Sequence, residues 1–206
     1  MPGMTAYFGL FYIGQPRAGD TVVVSSAAGA VGAVVGQLSK LSGCRVVGLA
    51  GSKEKIRYIV FDLGFDAGIK YKTEEVSVCI KSACLDGIDV YWDNVGGSLT
   101  TAAMETLALS GRVVICGQIS QYNAAAALPI SCDVGSILLA KRAKMEGFWV
   151  ADYADRSAEA LERLGMWIEQ DKLKYREDIV VGFENTPAAF INLLSGANLG
   201  KQLVQL

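Results

Sequence analysis

The sequence predicts a doubly wound α/β fold built on a six-stranded parallel sheet. Three observations carry that expectation. Short β-branched runs alternate with segments of three- and four-residue apolar spacing along the chain. The runs are apolar, as strands covered on both faces are. The first run passes straight into the small-residue cluster Ser26-Ala27-Ala28-Gly29-Ala30-Val31-Gly32, a strand-to-helix turn. Two β-α-β-α-β halves in sequence, joined by right-handed crossovers, satisfy all three.

The elements follow in order. The turn Arg17-Ala18-Gly19-Asp20 precedes a first strand over 21–25, and Val31, Val34, Val35, Leu38 and Leu41 mark a helix after it. A second strand spans 45–50, a helix 53–61, a weak third strand begins at 67–69, and a helix covers 74–82. The fourth strand is 88–93, followed by a helix over 99–109, and the fifth is 111–116. A loop from Gly117 to about Pro129 leads to an apolar helix near 134–140 and a sixth strand over 145–150. The tail differs. An amphipathic helix over 158–170 has Leu161, Leu164, Trp167 and Ile168 on one face. A strand near 179–181, a helix over 187–194 and a last strand over 201–206 need not join the main sheet.

Composition narrows the function. The 206 residues carry 19 basic and 21 acidic side chains, a balance that argues against nucleic-acid binding by overall field. An apolar share of 51% excludes a disordered chain, and 23 glycines against 4 prolines suit many tight turns. There is no histidine, so Ser-His and Cys-His nucleophiles, His-ligated zinc and an imidazole base are all excluded. Cys44, Cys79, Cys84, Cys116 and Cys132 are scattered and form no C-x-x-C pair. They read as reduced thiols of a cytoplasmic protein. No basic region follows Met1, and no apolar run reaches the ~18 residues of a membrane span.

The turn after the first strand is A-x-G-x-x-G, a variant of the dinucleotide fingerprint. Gly29 lets the backbone approach a pyrophosphate, Gly32 lets the helix pack on the strand, and the helix N-terminus offers amides to the phosphates. The nucleotide is indicated by the end of the second strand. An NAD site usually places Asp or Glu there, but the residues are Leu49-Ala50-Gly51-Ser52. Lys53, Lys55 and Arg57 follow in a helix whose first turn disfavours cations, so a bound anion such as the 2′-phosphate of NADP would relieve them. A basic face relieved by Glu54 is the plainer alternative.

Further motifs carry a resemblance. They are Met1-Pro2-Gly3-Met4-Thr5-Ala6-Tyr7-Phe8-Gly9-Leu10, Gly51-Ser52-Lys53-Glu54-Lys55, Asp93-Asn94-Val95-Gly96-Gly97, Ser120-Gln121-Tyr122-Asn123, Gly182-Phe183-Glu184-Asn185 and Asn198-Leu199-Gly200-Lys201. With the glycine loop they resemble the zinc-independent medium-chain reductases, in the prostaglandin reductase, alkenal double-bond reductase and curcumin reductase branch. The resemblance implies a Rossmann sheet binding NADP(H). Gly29, Ala30, Val31 and Gly32 would line the pyrophosphate; Ser52, Lys55 and Tyr71 would surround the 2′-phosphate. Asn94, Cys116, Gly117, Phe148, Val150 and Asn198 would lie along the nicotinamide half, and Tyr122 matches a tyrosine implicated in catalysis.

The implied reaction is reduction of the C=C bond of an α,β-unsaturated carbonyl. A tyrosine hydroxyl or a cofactor ribose can serve as the donor to the carbonyl oxygen, with no histidine or metal. A short-chain dehydrogenase would need Tyr-x-x-x-Lys, and no tyrosine has Lys four positions on. Alternatives are a quinone reductase and a non-catalytic NADP-binding module. In the family a GroES-like domain precedes the dinucleotide domain. Residues 1–170 are therefore expected to form the NADP-binding domain, and residues 171–206 the C-terminal portion of the truncated catalytic domain. That arrangement implies little turnover by these residues alone. The run Ala124-Ala125-Ala126-Ala127 departs from the family pattern, so substrate preference does not carry over there. The partners expected are a small enal, enone or quinone and a second copy paired near Met145–Val150, with no membrane.

Overall fold

The computed structural model describes residues 1–123 and 132–206. Helix α1 (Pro2–Phe8) runs into a π-helical turn over Gly9–Gly14. Then come β1 (Thr21–Val24), α2 (Gly32–Leu41), β2 (Arg45–Ala50), α3 (Lys53–Arg57), β3 (Ala67–Lys70) and α4 (Val76–Ala83). The second half is β4 (Ile88–Asp93), α5 (Ser98–Glu105), β5 (Leu107–Ile115), α6 (Val134–Lys141) and β6 (Lys144–Gly147). The tail holds α7 (Ser157–Glu169), β7 (Glu177–Val181), α8 (Thr186–Ser195) and β8 (Lys201–Gln205).

Strands β1–β6 form one sheet, ordered β3-β2-β1-β4-β5-β6 and parallel throughout. This is the doubly wound Rossmann order. The direction in which strands are added reverses between β1 and β4, and the crevice at that switch point opens at the C-terminal ends of the strands. The alternation of Cβ directions explains the apolar runs. Val22 and Val24 enter one core with Val46, Val90, Trp92 and Val114. Val23 enters the other, with Val47, Leu49, Tyr91 and Val113. Each fully buried Val or Leu contributes about 1.5–3 kcal/mol of transfer free energy. Gly36 lets α2 lie close: a Cβ there would collide with the Phe65 ring.

Several boundaries differ from expectation. The helix expected over 99–109 ends at Glu105, and Leu107 opens β5. Leu107 is buried, paired with Ile88, so sheet burial captured an apolar residue that also fitted the helical period. The helix expected over 53–61 is α-helical only to Arg57, and a π turn over Tyr58–Asp62 completes it. That turn buries both Tyr58 and Ile59. The sixth strand stops at Gly147, so Phe148 and Val150 lie beyond it, and Val150 opens a 3₁₀ segment. In α7, Ala160 and Leu164 are buried, whereas Leu161 is 59% exposed, so the apolar stripe is narrower than its sequence. The run Ala124–Ala127 lies outside the described residues.

The N-terminal arm was not anticipated as helix. The Tyr7 and Tyr12 hydroxyls donate to Glu159 Oε1 at 2.8 and 3.0 Å, and Arg156 donates to Oε2 at 2.6 Å. These donors hold the Glu159 carboxyl below its ordinary range, Tyr7 foremost. Phe8 stacks on Tyr153 with centroids 4.6 Å apart, so α1 is pinned to the stretch that leads into α7.

Strands β7 and β8 form a separate, two-stranded parallel sheet. It is tied to the main sheet at a few points. Gly200 N donates to Ala28 O at 2.9 Å. The buried Gln37 side chain donates to Lys174 O and accepts from Lys174 N, both at 2.8 Å. Among the described residues no helix is long and apolar enough to cross a membrane.

Candidate functional site

The C-terminal ends of β1, β2, β4 and β5 and one edge of the tail enclose a cavity of about 270 Å³. Its floor is the turn from β1 into α2. Ser26 takes a left-handed φ of 50°, which turns the chain sharply out of the strand. Gly32 then packs against that turn so closely that a Cβ would collide with the Ser26 carbonyl oxygen. Gly29, Ala30, Val31 and Gly32 face the cavity at the first turn of α2, where amides and helix dipole favour an anion.

One end of the cavity is basic. After β2, Ser52 caps α3 by accepting from Lys55 N at 3.3 Å. Lys55 and Tyr71 line the cavity with Ala50 and Gly51. Lys55 Nζ donates to Gly196 O at 2.7 Å. Burial lowers the Lys55 pKa below its ordinary 10.5, and the Lys72 charge lowers it further. Asp178 and Glu54 act weakly in the other direction.

The middle is organised by Asp93, which is fully buried at the end of β4. Its carboxyl accepts from Val95 N and Gly96 N at 2.9 Å and from Thr100 Oγ1 at 2.5 Å. The Ser25 and Tyr91 hydroxyls each stand 3.3 Å from Oδ1. Asn94, the next residue, donates from Nδ2 to Ser25 O at 2.7 Å and accepts on Oδ1 from Trp92 Nε1 at 3.0 Å. Both contacts fix its amide where it meets the cavity.

Cys116 and Gly117 follow β5 and donate from their amides to Asp93 O at 2.8 and 3.1 Å. Burial, then the nearby Asp93, pushes the Cys116 thiol from 9.0 up to about 12. A thiol three pH units above its ordinary value holds roughly a thousandfold less thiolate at neutral pH. Cys116 is therefore expected to resist iodoacetamide at pH 7.5 in the folded chain, a result that mass mapping of alkylated peptides checks. Cys44 and Cys84 are likewise raised, to about 11, by burial. The fold keeps these protons longer than an unfolded chain does. Stability is therefore expected to fall as pH rises above 9.

At the far end, Tyr122 lines the cavity and is 64% exposed, its hydroxyl 3.4 Å from the donating Gln118 N. The tail closes the remaining side. Asn198 is buried and donates to Gly200 O at 2.9 Å. Eleven of the expected positions thus share one cavity: Gly29, Ala30, Val31, Gly32, Lys55, Tyr71, Asn94, Cys116, Gly117, Tyr122 and Asn198. Ser52 acts as a helix cap, Phe148 packs edge-on against Trp92 at 5.9 Å, and Val150 packs on the core beyond β6. Sequence reasoning missed Ser26, Ile119, Leu193, Gly196 and Gly200, which also line it. The Asn198-Leu199-Gly200-Lys201 motif was a signal for the last of these.

Residues 30–165 match the family model described as zinc-binding dehydrogenase. The chain belongs to the zinc-binding dehydrogenase family. Among the described residues no group of three or more His, Cys, Asp or Glu could hold a metal ion. Curated relatives match the whole chain. The NADPH-dependent curcumin reductase of Escherichia coli (strain K12) is 45% identical over 211 residues, covering 100% of this chain and 61% of the relative. The 2-alkenal reductase (NADP(+)-dependent) of Nicotiana tabacum is 44% identical over 209 residues, covering 100% and 60%. The crystal structure of CurA in complex with NADPH from Vibrio vulnificus superposes with a TM-score of 0.95 at 47% identity, covering 100% of this chain and 62% of that one. The resemblance read from the motifs is borne out along the whole sequence. The chain spans about 60% of the length of the curated relatives it matches.

Proposed function

We propose that these residues form the NADP(H)-binding part of an oxidoreductase that reduces the C=C bond of α,β-unsaturated carbonyls. One observation carries the reading: a single cleft at the switch point has a half-buried lysine at one end and a tyrosine hydroxyl at the other. The cofactor fits the residues present. The end of β2 offers no carboxylate to a ribose 2′-OH but offers Lys55, the Tyr71 hydroxyl and the Ser52 cap to a phosphate. Gly29 to Gly32 would hold the pyrophosphate, and Asn94, Cys116, Gly117 and Asn198 the nicotinamide half. Phe148 and Val150 would back that half from beyond β6.

When bound, NADPH supplies a hydride to the β-carbon of the substrate. Tyr122, at the far end of the cavity, would donate a hydrogen bond to the carbonyl oxygen as negative charge develops there, and a proton from solvent would complete the α-carbon. Cys116, kept protonated, adds no competing nucleophile to an electrophilic enal. In a full-length protein that carries these residues, a Tyr122→Phe variant is expected to lower kcat for NADPH oxidation by a 2-alkenal about a hundredfold. The Kd for NADPH should be unchanged. A quinone in place of the alkenal tests the quinone-reductase reading. Equal kcat for both forms of residue 122 removes the tyrosine from the chemistry.

The same reading extends to organisation. Residues 1–170 are the NADP-binding domain, and residues 171–206 belong with a GroES-like catalytic domain. Exposed Ile179 and Val181 on β7, and Phe183 in the turn after it, support the latter, since they offer a further layer apolar surface. Homodimerisation through the β6 edge is supported by Trp149 and Leu139, 71% and 80% exposed beside that strand. Five free cysteines accord with a cytoplasmic location.

A further inference from the structure

We propose that Lys72 is a second specificity-determining cation of the 2′-phosphate subsite, seated beside Lys55 by the C-terminal end of α8. The proposal rests on the NADP(H) reading above. Lys72 follows Tyr71, two residues beyond β3, and its stem crosses the end of β2. A Cβ built on Gly51 would stand 3.2 Å from Lys72 Cε and 3.3 Å from the Tyr71 hydroxyl. In a doubly wound fold, that is where an acid reading the ribose 2′-OH would stand. Here the Lys72 stem and the Tyr71 phenol stand over it, with Lys55 lining the same end of the cavity.

The tail orients both ammonium groups. Lys55 Nζ donates to Gly196 O at 2.7 Å, and Lys72 Nζ donates to Ser195 O at 3.4 Å. These are consecutive carbonyls at the C-terminus of α8, where Gly196 takes a left-handed φ of 68°. The negative end of a helix attracts cations. Like charges brought to adjacent carbonyls oppose each other, and burial and Lys72 together lower the Lys55 pKa. Among the described residues neither lysine has a carboxylate within ion-pair distance. An ammonium has three N–H donors, so one carbonyl bond leaves two on each lysine. A ribose 2′-phosphate, near-dianionic and rich in acceptors, uses them and relieves the repulsion.

Calorimetric titration of the unmodified chain and of Lys72→Met with NADP⁺ and with NAD⁺ tests this. The unmodified chain is expected to favour NADP⁺ by tenfold or more. Lys72→Met is expected to lose about five- to tenfold of NADP⁺ affinity while NAD⁺ affinity stays the same. Its NADP⁺ affinity should also fall less steeply with salt, and Lys72→Arg should retain most of the preference. An NADP⁺ titration of Lys72→Met that superposes on that of the unmodified chain overturns the proposal. So does an equal loss for NAD⁺, the mark of a purely structural role. If the unmodified chain itself does not discriminate, the NADP(H) reading fails, and this assignment with it.

Discussion

Replacing Lys55 with methionine is expected to weaken NADPH binding by roughly ten- to a hundredfold and to leave NADH binding unchanged. The magnitude is that of one hydrogen bond to a charged group, about 1.5–3 kcal/mol. Lys55 meets it for three reasons. It is half-buried, so little water screens it. It sits at the end of the cleft where the strand supplies no acid. Its bond to Gly196 O already fixes its direction, so little side-chain entropy remains to be lost. The pH dependence has a definite sign. Lys55 loses its proton below the ordinary 10.5. NADPH affinity should therefore fall on the alkaline side sooner than an ordinary lysine would cause, and binding there should take up a proton, because the phosphate favours the charged form. In the absence of ligand, the unfolded chain holds the lysine proton more tightly than the fold does. This group alone thus raises stability as pH climbs between its lowered value and 10.5. Calorimetry in buffers of different ionisation enthalpy reads the proton uptake; equal heats in all of them would remove Lys55 from the phosphate site.

Asp93→Asn is expected to destabilise the fold by about 3 kcal/mol, which for a chain of this size lowers Tm by roughly 6–12 °C. The change is isosteric, so the effect is one of hydrogen bonding. Asp93, itself fully buried, presents two acceptor oxygens to two backbone amides, the Thr100 hydroxyl and two further hydroxyls. An amide replaces one acceptor by donors, and either Thr100 or the Val95 and Gly96 amides then face an N–H. A buried donor left without a partner costs about 1–3 kcal/mol. The damage reaches the cleft, because the backbone of Asp93 also receives the amides of Cys116 and Gly117. A thermal melt within a degree of the unmodified chain would show that the network tolerates an amide.

The sheet could be read before it was seen because the central strands carry short apolar, β-branched stretches and crossover helices such as α2 have their own period. Val22 to Val24 and Val90 to Trp92 serve two cores at once, and only a central parallel strand needs that. Legibility failed where two periods overlap. Leu107 and Leu109 continue the spacing of α5, yet Leu107 is claimed by Ile88 across the sheet. It failed again for the π turn over Gly9–Gly14, which has no period of its own. In the site, the signals at Gly29, Gly32 and Lys55 were visible, and the resemblance added Asn94, Tyr122 and Asn198. The contributions of Ser195 and Gly196 were not, because they act through backbone carbonyls that no side-chain pattern encodes. Lys72 was passed over for a related reason: its reach across Gly51 depends on tertiary packing.

The two-stranded sheet in the tail gives the molecule two tiers of local stability. Strands β7 and β8 pair with each other alone among the described residues, and a lone pair is marginal in water. What holds them to the rest is a short set of bonds at Gln37, Lys55, Lys72, Asp62 and Ala28 with the buried Leu173 and Leu199, whereas the six-stranded sheet is buried in two cores. The tail can therefore peel away while the main sheet stays intact. Because Gly196, Asn198 and Gly200 form one wall of the cleft, that wall leaves with it. The free energy of this partial opening, and not that of global unfolding, is then expected to set how long a dinucleotide held in that cleft would stay.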